Sequence, residues 1–334
     1  MFKYIVKRLL LSIIILLGVS VIIYTLVRLM PNDYIDIKYA PQLTSGQITQ
    51  EQVNHFKELY GLGDNSFKGI MGGYFKWLGN MVKGDFGVSF KYSLPVGEVI
   101  SQYMWVSFAI ALIATILQFA IAIPLGVSSA THQYSIRDYT VTVFTMIGLS
   151  LPTYFFASIV VKIFAVDLGW FPASGYVDAG STYVDNFAGQ MQILGEKIYH
   201  LILPILVSVI LSLGGLMRYT RTNMLEVLNT DYIRTARAKG LAERKVIYKH
   251  AFRNTLIPLA TLLAGILPGL FGGMLITEQV FDIPGIGNLA YKALMEGDVP
   301  FIMGYNMFLA VLSVIGTLLS DIMYSIVDPR VKLR

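Results

Sequence analysis

The apolar residues of this chain fall in long runs rather than in alternation. Six stretches, 9–30, 106–130, 139–166, 198–217, 256–276 and 303–327, carry almost no charge. Crossing about 30 Å of hydrocarbon takes about 20 mostly apolar residues. Lipid offers no partner to a bare backbone, so each run is expected to be a helix. The pattern predicts an all-α fold, a polytopic membrane protein with six transmembrane helices. Between the first two runs the pattern changes. Thr49 and Gln52 have the spacing of a capping box, Val53, Phe56 and Tyr60 recur at helical spacing, and Gly61 stands where a helix stops. A second amphipathic piece is expected over 74–82. The segment 31–102 therefore reads as an ordered insertion, a packed covering over the spans rather than a ligand site.

Composition sharpens this picture. Of 334 residues, 55% are hydrophobic and 14% charged. The first run follows Lys3, Lys7 and Arg8 and resembles a secretory leader, but it is too long and lacks a small-residue cleavage site, so a retained span is expected. The net charge of +5 does not point to nucleic acid, because the basic residues flank spans instead of covering a soluble domain. The chain has no cysteine, which excludes disulfides and thiolate metal sites.

Charge also orients the spans. Lysine and arginine favour the cytoplasmic side of short loops. The N-terminus is basic, the second loop has Arg137, and the fourth carries Arg218, Arg221, Arg234, Arg237, Lys239, Arg244, Lys245, Lys249 and Arg253. The tail adds Arg330, Lys332 and Arg334. By contrast the third loop holds Asp167, Asp178, Asp185 and Glu196 against Lys197, and the fifth holds Glu278, Asp282, Glu296 and Asp298 against Lys292. Both termini are thus expected inside, with the insertion outside. The resulting organisation is 1–30 (N-terminus and first span), 31–102 (insertion), 103–327 (five-helix core with a cytoplasmic loop over 218–255) and 328–334 (tail). Pro124, Pro152, Pro204, Pro258 and Pro268, with Gly269, Gly272 and Gly273, predict kinks and close helix contacts.

One charged stretch stands out, "DYIRTARAKGL". Asn229, Thr230 and Asp231 favour a helix start and Gly240 a stop, so a short helix is expected from Tyr232 to Lys239. Tyr232, Ile233 and Ala236 share one side with Gly240, while Arg234 and Arg237 point elsewhere. Such charges serve as anchors in lipid headgroups in many membrane proteins. The caps, the glycine stop and the small-residue face add a second expectation, a docking element whose apolar ridge enters a groove on a cytoplasmic partner. Catalytic signatures are missing: there is no Gly-Lys-Ser/Thr phosphate loop, the four histidines (His55, His132, His200, His250) form no H-E-x-x-H pair, and Ser150 is followed by Leu151 and Pro152 rather than by the end of a nucleophile elbow. No catalytic, cofactor or metal site is expected. Arg28 and Lys162 lie near span ends, where long side chains snorkel, while Asp321 lies deeper. Asp321 and Gln118, together with Thr115, are the candidates for a translocation path or for joining helices.

With these residues in view, the chain resembles the permeases of ABC transporters, in the form found in oligopeptide, dipeptide and nickel importers. The resemblance runs from "KRLLLSIIILLGVSVIIYTLVRLMPND" through "ELYGLGD", "YFKWLGNMVKGDFGVSF" and "DYIRTARAKGLAERKVIYKHAFRNTLIP" to "EQVFDIPGIGNLAYKAL" and "DPRV". Arg234, Thr235 and Ala236 stand where the wider family has a glutamate and two alanines, and "PNDY" replaces a "PGDP"-like turn after the first span. The resemblance implies the type I importer fold in a bacterial cytoplasmic membrane, a second homologous permease, two cytoplasmic ATPase subunits that bind ATP and magnesium, and an extracytoplasmic binding protein. It also implies that Asp231, Tyr232, Ile233, Arg234, Thr235, Ala236, Arg237, Ala238, Lys239, Gly240 and Leu241 form the helix that couples to the ATPases. Peptides are the expected substrate; nickel or metallophore import is the alternative. A self-sufficient carrier or channel is the contrasting class, although inverted repeats with paired broken helices are not evident.

Overall fold

The computed structural model describes residues 2–30, 33–178, 180–181, 183 and 186–327. Pro31 and Asn32 of the first turn, Asp185, and the tail with Arg330, Lys332 and Arg334 lie outside the described residues. Helix α1 (Phe2–Arg28) presents Leu10, Ile14, Ile15, Ile22 and Leu26 outward, as a lipid-facing span requires.

The insertion folds as three capped helices. In α2 (Tyr34–Thr44) the Asp33 side chain accepts from the Asp36 amide, and Asp36 reciprocates. The interior Pro41 hides this helix from a sequence pattern. In α3 (Gln50–Leu59) the expected Thr49–Gln52 capping box is present, and Gly61 follows with a φ of +70°. The second amphipathic piece is longer than expected, α4 (Phe67–Met81), because the Ser66 cap starts it seven residues before the apolar pattern begins. Val53, Ile70 and Tyr74 are buried in one core with Tyr24 of α1 and with later segments. The Ser20 and Tyr74 hydroxyls, 2.9 Å apart, tie α4 to the first span.

The long helix α5 (Val96–Thr131) starts inside this core, since Val96 and Val99 are fully buried; the border between insertion and core falls before 103. Next come α6 (Ile136–Ser150) and α7 (Thr153–Val160), the latter continued by a wider π turn over Val161–Asp167. The axis bends by 106° between Ser150 and Thr153, where Pro152 cannot continue the hydrogen-bond ladder. Helix α8 (Phe187–Leu228) is 42 residues, about 63 Å long, and so extends well beyond the bilayer core.

The loop after α8 contains α9 (Asp231–Ala238) and the short α10 (Glu243–Lys245), then a π turn, Val246–Ala251, leading into α11 (Phe252–Gly265). The fifth apolar run does not form one continuous helix. It breaks into α11, α12 (Leu267–Phe271) and α13 (Leu275–Val280), with Gly273 at φ +77° between the last two. Helices α14 (Ile286–Met295) and α15 (Val299–Val327) complete the chain. Among the described residues, four helices are long and apolar enough to cross a membrane, or five if the bent α6–α7 pair is one span. The six spans expected from the runs do not emerge from helix length, because Pro268 and the glycines after it interrupt the fifth run.

Candidate coupling surface and translocation cavity

Helix α9 forms where its caps place it. Thr230 is the N-cap in extended conformation, although its hydroxyl donates backward to the Val227 carbonyl (2.6 Å) instead of capping. The end is closed by Gly240: its amide donates to the Arg237 carbonyl at 2.9 Å, and its φ of +72° turns the chain so that the Leu241 amide points back to the Ala236 carbonyl at 3.4 Å. All residues from Asp231 to Leu241 thus belong to one capped unit.

The orientation of this unit corrects the docking expectation. Ile233 is fully buried and Ala236 nearly so, both in a cluster with Val127 and Ala130 of α5, Met224 of α8, and Val246 and Ala251. The apolar ridge therefore packs on its own chain. Helical spacing identifies residues that share a face but not what the face meets. The outward face is polar and comprises Asp231, Tyr232, Arg234, Thr235, Ala238 and Lys239. Two contacts fasten it to the segments that follow. Arg237 donates to Glu243 through Nη2 (to Oε1, 2.7 Å) and through Nε (to Oε1 and Oε2, both 3.2 Å), and Asn254 of α11 donates to the Tyr232 hydroxyl at 3.1 Å. The hydrogen bonds from Arg237 hold the Glu243 carboxyl below the usual carboxylate range, and Glu243 raises the guanidinium in turn.

Behind this loop, Arg221 of α8 grips Asp138 at the start of α6 through Nε (2.7 Å) and Nη2 (2.9 Å). Nε also reaches the Ser129 hydroxyl of α5 at 3.1 Å. In the sequence Arg221 counts only as an inside charge; in the structure it joins three helices.

A cavity of about 510 Å³ opens between α5, α7, α8 and α13, lined by Ala114, Thr115, Gln118, Thr153, Ser208, Leu211, Ser212 and the stretch from Met274 to Thr277. Gln118 is in its wall, where its amide nitrogen donates to the Ser212 carbonyl at 2.9 Å and joins α5 to α8. Thr115 lines the same wall. Asp321 is elsewhere, paired with Arg8 of α1.

Sequence reasoning missed Glu278. Counted there as a loop charge, it is fully buried, one residue beyond the cavity-lining Thr277. One carboxylate oxygen accepts from the Ser107 hydroxyl (2.7 Å) and the Met274 amide (2.9 Å), the other from the Asn288 amide (3.0 Å). Ser107 in turn accepts from the Ile286 amide at 2.8 Å. The surrounding glycines make room: a Cβ on Gly285 would lie 2.4 Å from Glu278 Oε2. The signal was available in "EQVFDIPGIGN", an acid followed by two glycines on a short loop.

Buried helix junctions, a cavity between apolar helices and an exposed polar loop helix define a polytopic membrane permease. Residues 122–333 match the family described as binding-protein-dependent transport system inner membrane component, and residues 1–111 match its N-terminal region. The chain belongs to that family. It is 41% identical to the oligopeptide transport system permease protein AppB of Bacillus subtilis, over 99% of this chain and 100% of the relative. A putative peptide transport system permease protein of Brucella abortus is 35% identical, over 98% of both chains. The dipeptide transport system permease protein DppB of Alkalihalophilus pseudofirmus is 32% identical, over 99% of this chain and 100% of the relative.

Proposed function

We propose that this chain is one transmembrane half of an ATP-driven importer of peptides. It pairs with a second, homologous permease in a bacterial cytoplasmic membrane, with both termini inside, and takes substrate from an extracytoplasmic binding protein. The chain itself binds no cofactor; two cytoplasmic ATPase subunits bind ATP and magnesium. The unit 231–241, helix α9 with its glycine stop, receives their motion.

The observation that carries this reading is the seating of α9. Its apolar side is fixed to α5, α8 and the turn before α11, and its polar side is exposed. A push on that face is passed to α11 as a rigid displacement, since packed interfaces move between discrete arrangements. Peptide as substrate is supported by the names of the full-length relatives and by a cavity wall that offers Thr115, Gln118, Thr153 and Ser208 to main-chain polar groups.

The test is to purify the tagged chain with whatever accompanies it and reconstitute the assembly in liposomes. Stoichiometric recovery of a second permease and two ATPases, with ATP-dependent uptake of radiolabelled di- to pentapeptides, is the expected result. Uptake of a nickel chelate without peptide uptake would replace the substrate. Transport by the chain alone would overturn the assignment.

A further inference from the structure

His200 of α8 has a side chain only 2% exposed, yet both of its ring nitrogens face oxygen acceptors. Nδ1 lies 3.1 Å from the Gly175 carbonyl, and Nε2 lies 3.2 Å from Oδ1 of Asp178. Glu196 is four residues earlier on α8, on the same side of the helix. The ligand atoms of Asp178, Glu196 and His200 all lie within 4.8 Å of one another. The Glu196 carboxylate is itself oriented, accepting from the Asp178 amide and from the hydroxyls of Ser181 and Tyr183.

A backbone carbonyl only accepts, so Nδ1 carries a proton, and Nε2 is aimed at a carboxylate oxygen. Something positive belongs between them. The Glu196 carboxylate stands within 4.8 Å of both. A divalent cation answers all three groups at once. On a tetrahedral zinc ion with bonds of about 2.0–2.2 Å, neighbouring ligand atoms are about 3.3–3.5 Å apart, close to the separation of Nε2 and Oδ1. The Nδ1–H bond to a carbonyl is the outer contact that aligns a ligating imidazole. One imidazole with two carboxylates suits zinc or a similar transition ion better than calcium or magnesium.

We propose that Asp178, Glu196 and His200 form a binding site for a divalent transition metal, zinc or one of similar preference, at the end of α8 that the charge pattern assigns to the outside. The fourth position opens to solvent beside Asp178, which is largely exposed. Through Asp178 the ion fastens the segment 168–178 to α8. Because the Gly175 amide also donates to the Phe281 carbonyl (2.8 Å), the fastened loop bears on the segment that follows α13, next to the cavity wall. The sequence conceals this site: Asp178 is 18 residues from Glu196 and belongs to no familiar metal motif.

The experiment uses the full chain, carrying a tag without histidines, in lipid nanodiscs stripped with EDTA. Zinc is titrated against a chromophoric zinc indicator, and the thermal midpoint is read with and without the ion. About one bound zinc per chain and a raised midpoint are expected, with affinity reduced by about tenfold or more in Asp178→Asn and Glu196→Gln. Both changes are on accessible carboxylates, so the proposal stays testable even if His200→Gln fails to fold. Equal zinc binding by the wild type and Asp178→Asn, or no stoichiometric binding, would overturn the site and leave a hydrogen-bonded His–Asp pair.

Discussion

Arg221 and Glu278 show what single charges do once a chain is buried in helices. The Asp138 side chain is 5% exposed, and its charge is tolerable because Arg221 and Ser129 satisfy it. Removing one member of a buried pair costs about 3–5 kcal/mol, since the other is left uncompensated. Arg221→Leu is therefore expected to lower the thermal midpoint sharply in nanodiscs, while Asp138→Asn combined with Arg221→Gln regains most of the loss; an unchanged midpoint in Arg221→Leu would show that the pair contributes nothing. Glu278 poses a steric question as well as an electrostatic one. In Gly285→Ala the new methyl meets both the carboxylate and the Ser107 hydroxyl, at 2.4 and 2.6 Å. Displacing the acid leaves buried amides unmade at about 1–3 kcal/mol each. This variant is expected to express at lower yield and melt earlier, whereas alanine at the open Gly215 is not.

At the scale of elements, α9 separates seat from surface. Eight residues make a helix that is marginal alone and persists through tertiary support. Ala236→Arg forces a long cation into the buried side and is expected to lower the midpoint and yield, together with coupling. Arg234→Glu with Lys239→Glu alters only the exposed side; midpoint and membrane insertion should stay unchanged while substrate-stimulated ATP hydrolysis by the assembled complex falls. Unaltered hydrolysis would remove α9 from the coupling route. Gly240→Pro fails for a backbone reason, since proline cannot adopt φ +72° and has no amide for the Arg237 carbonyl. The Arg237–Glu243 link adds a pH dependence. The folded state lowers the Glu243 carboxyl, so its contribution is fully present above the ordinary glutamate value of about 4.3 and is lost as pH falls through the folded value. The difference in midpoint between the wild type and Glu243→Gln should be constant from about pH 6 upward and shrink on acidification. It should be small, because both groups are exposed and screened.

For the whole molecule, the insertion and the spans share one core instead of forming two bodies. Asp298, at the start of α15, is fully buried and holds the turn before α5 through the Ser89 hydroxyl (2.5 Å) and the Lys91 amide (3.1 Å). Ile35, Val53 and Ile70 of the insertion pack in the same cluster as Val96, Ile286 and Phe301. Movement of the insertion helices relative to the spans therefore has to break buried contacts. The cavity is the other whole-molecule feature. Gln118→Leu removes its most polar wall group and the bond between α5 and α8, so peptide uptake is expected to drop several-fold while the complex still assembles. Uptake at the wild-type rate would place the path elsewhere.

The amino-acid sequence by itself determined the membrane class, most of the apolar helices and the caps that punctuate α3 and α9. Desolvation of backbone in lipid acts on every residue of an apolar run, and caps such as Thr49 and Gly240 act within a few residues. The family resemblance was legible for the same reason, in contiguous motifs. Tertiary structure alone decided the rest. The apolar side of α9 turned inward because α5 and α8 supply a matching surface, and the fifth run broke at Pro268 and Gly273, where surrounding helices accommodate the break. Ser107 and Glu278 meet across 171 residues, and Ser89 and Asp298 across 209. Such pairings depend on how distant helices pack, and a local period carries no trace of them.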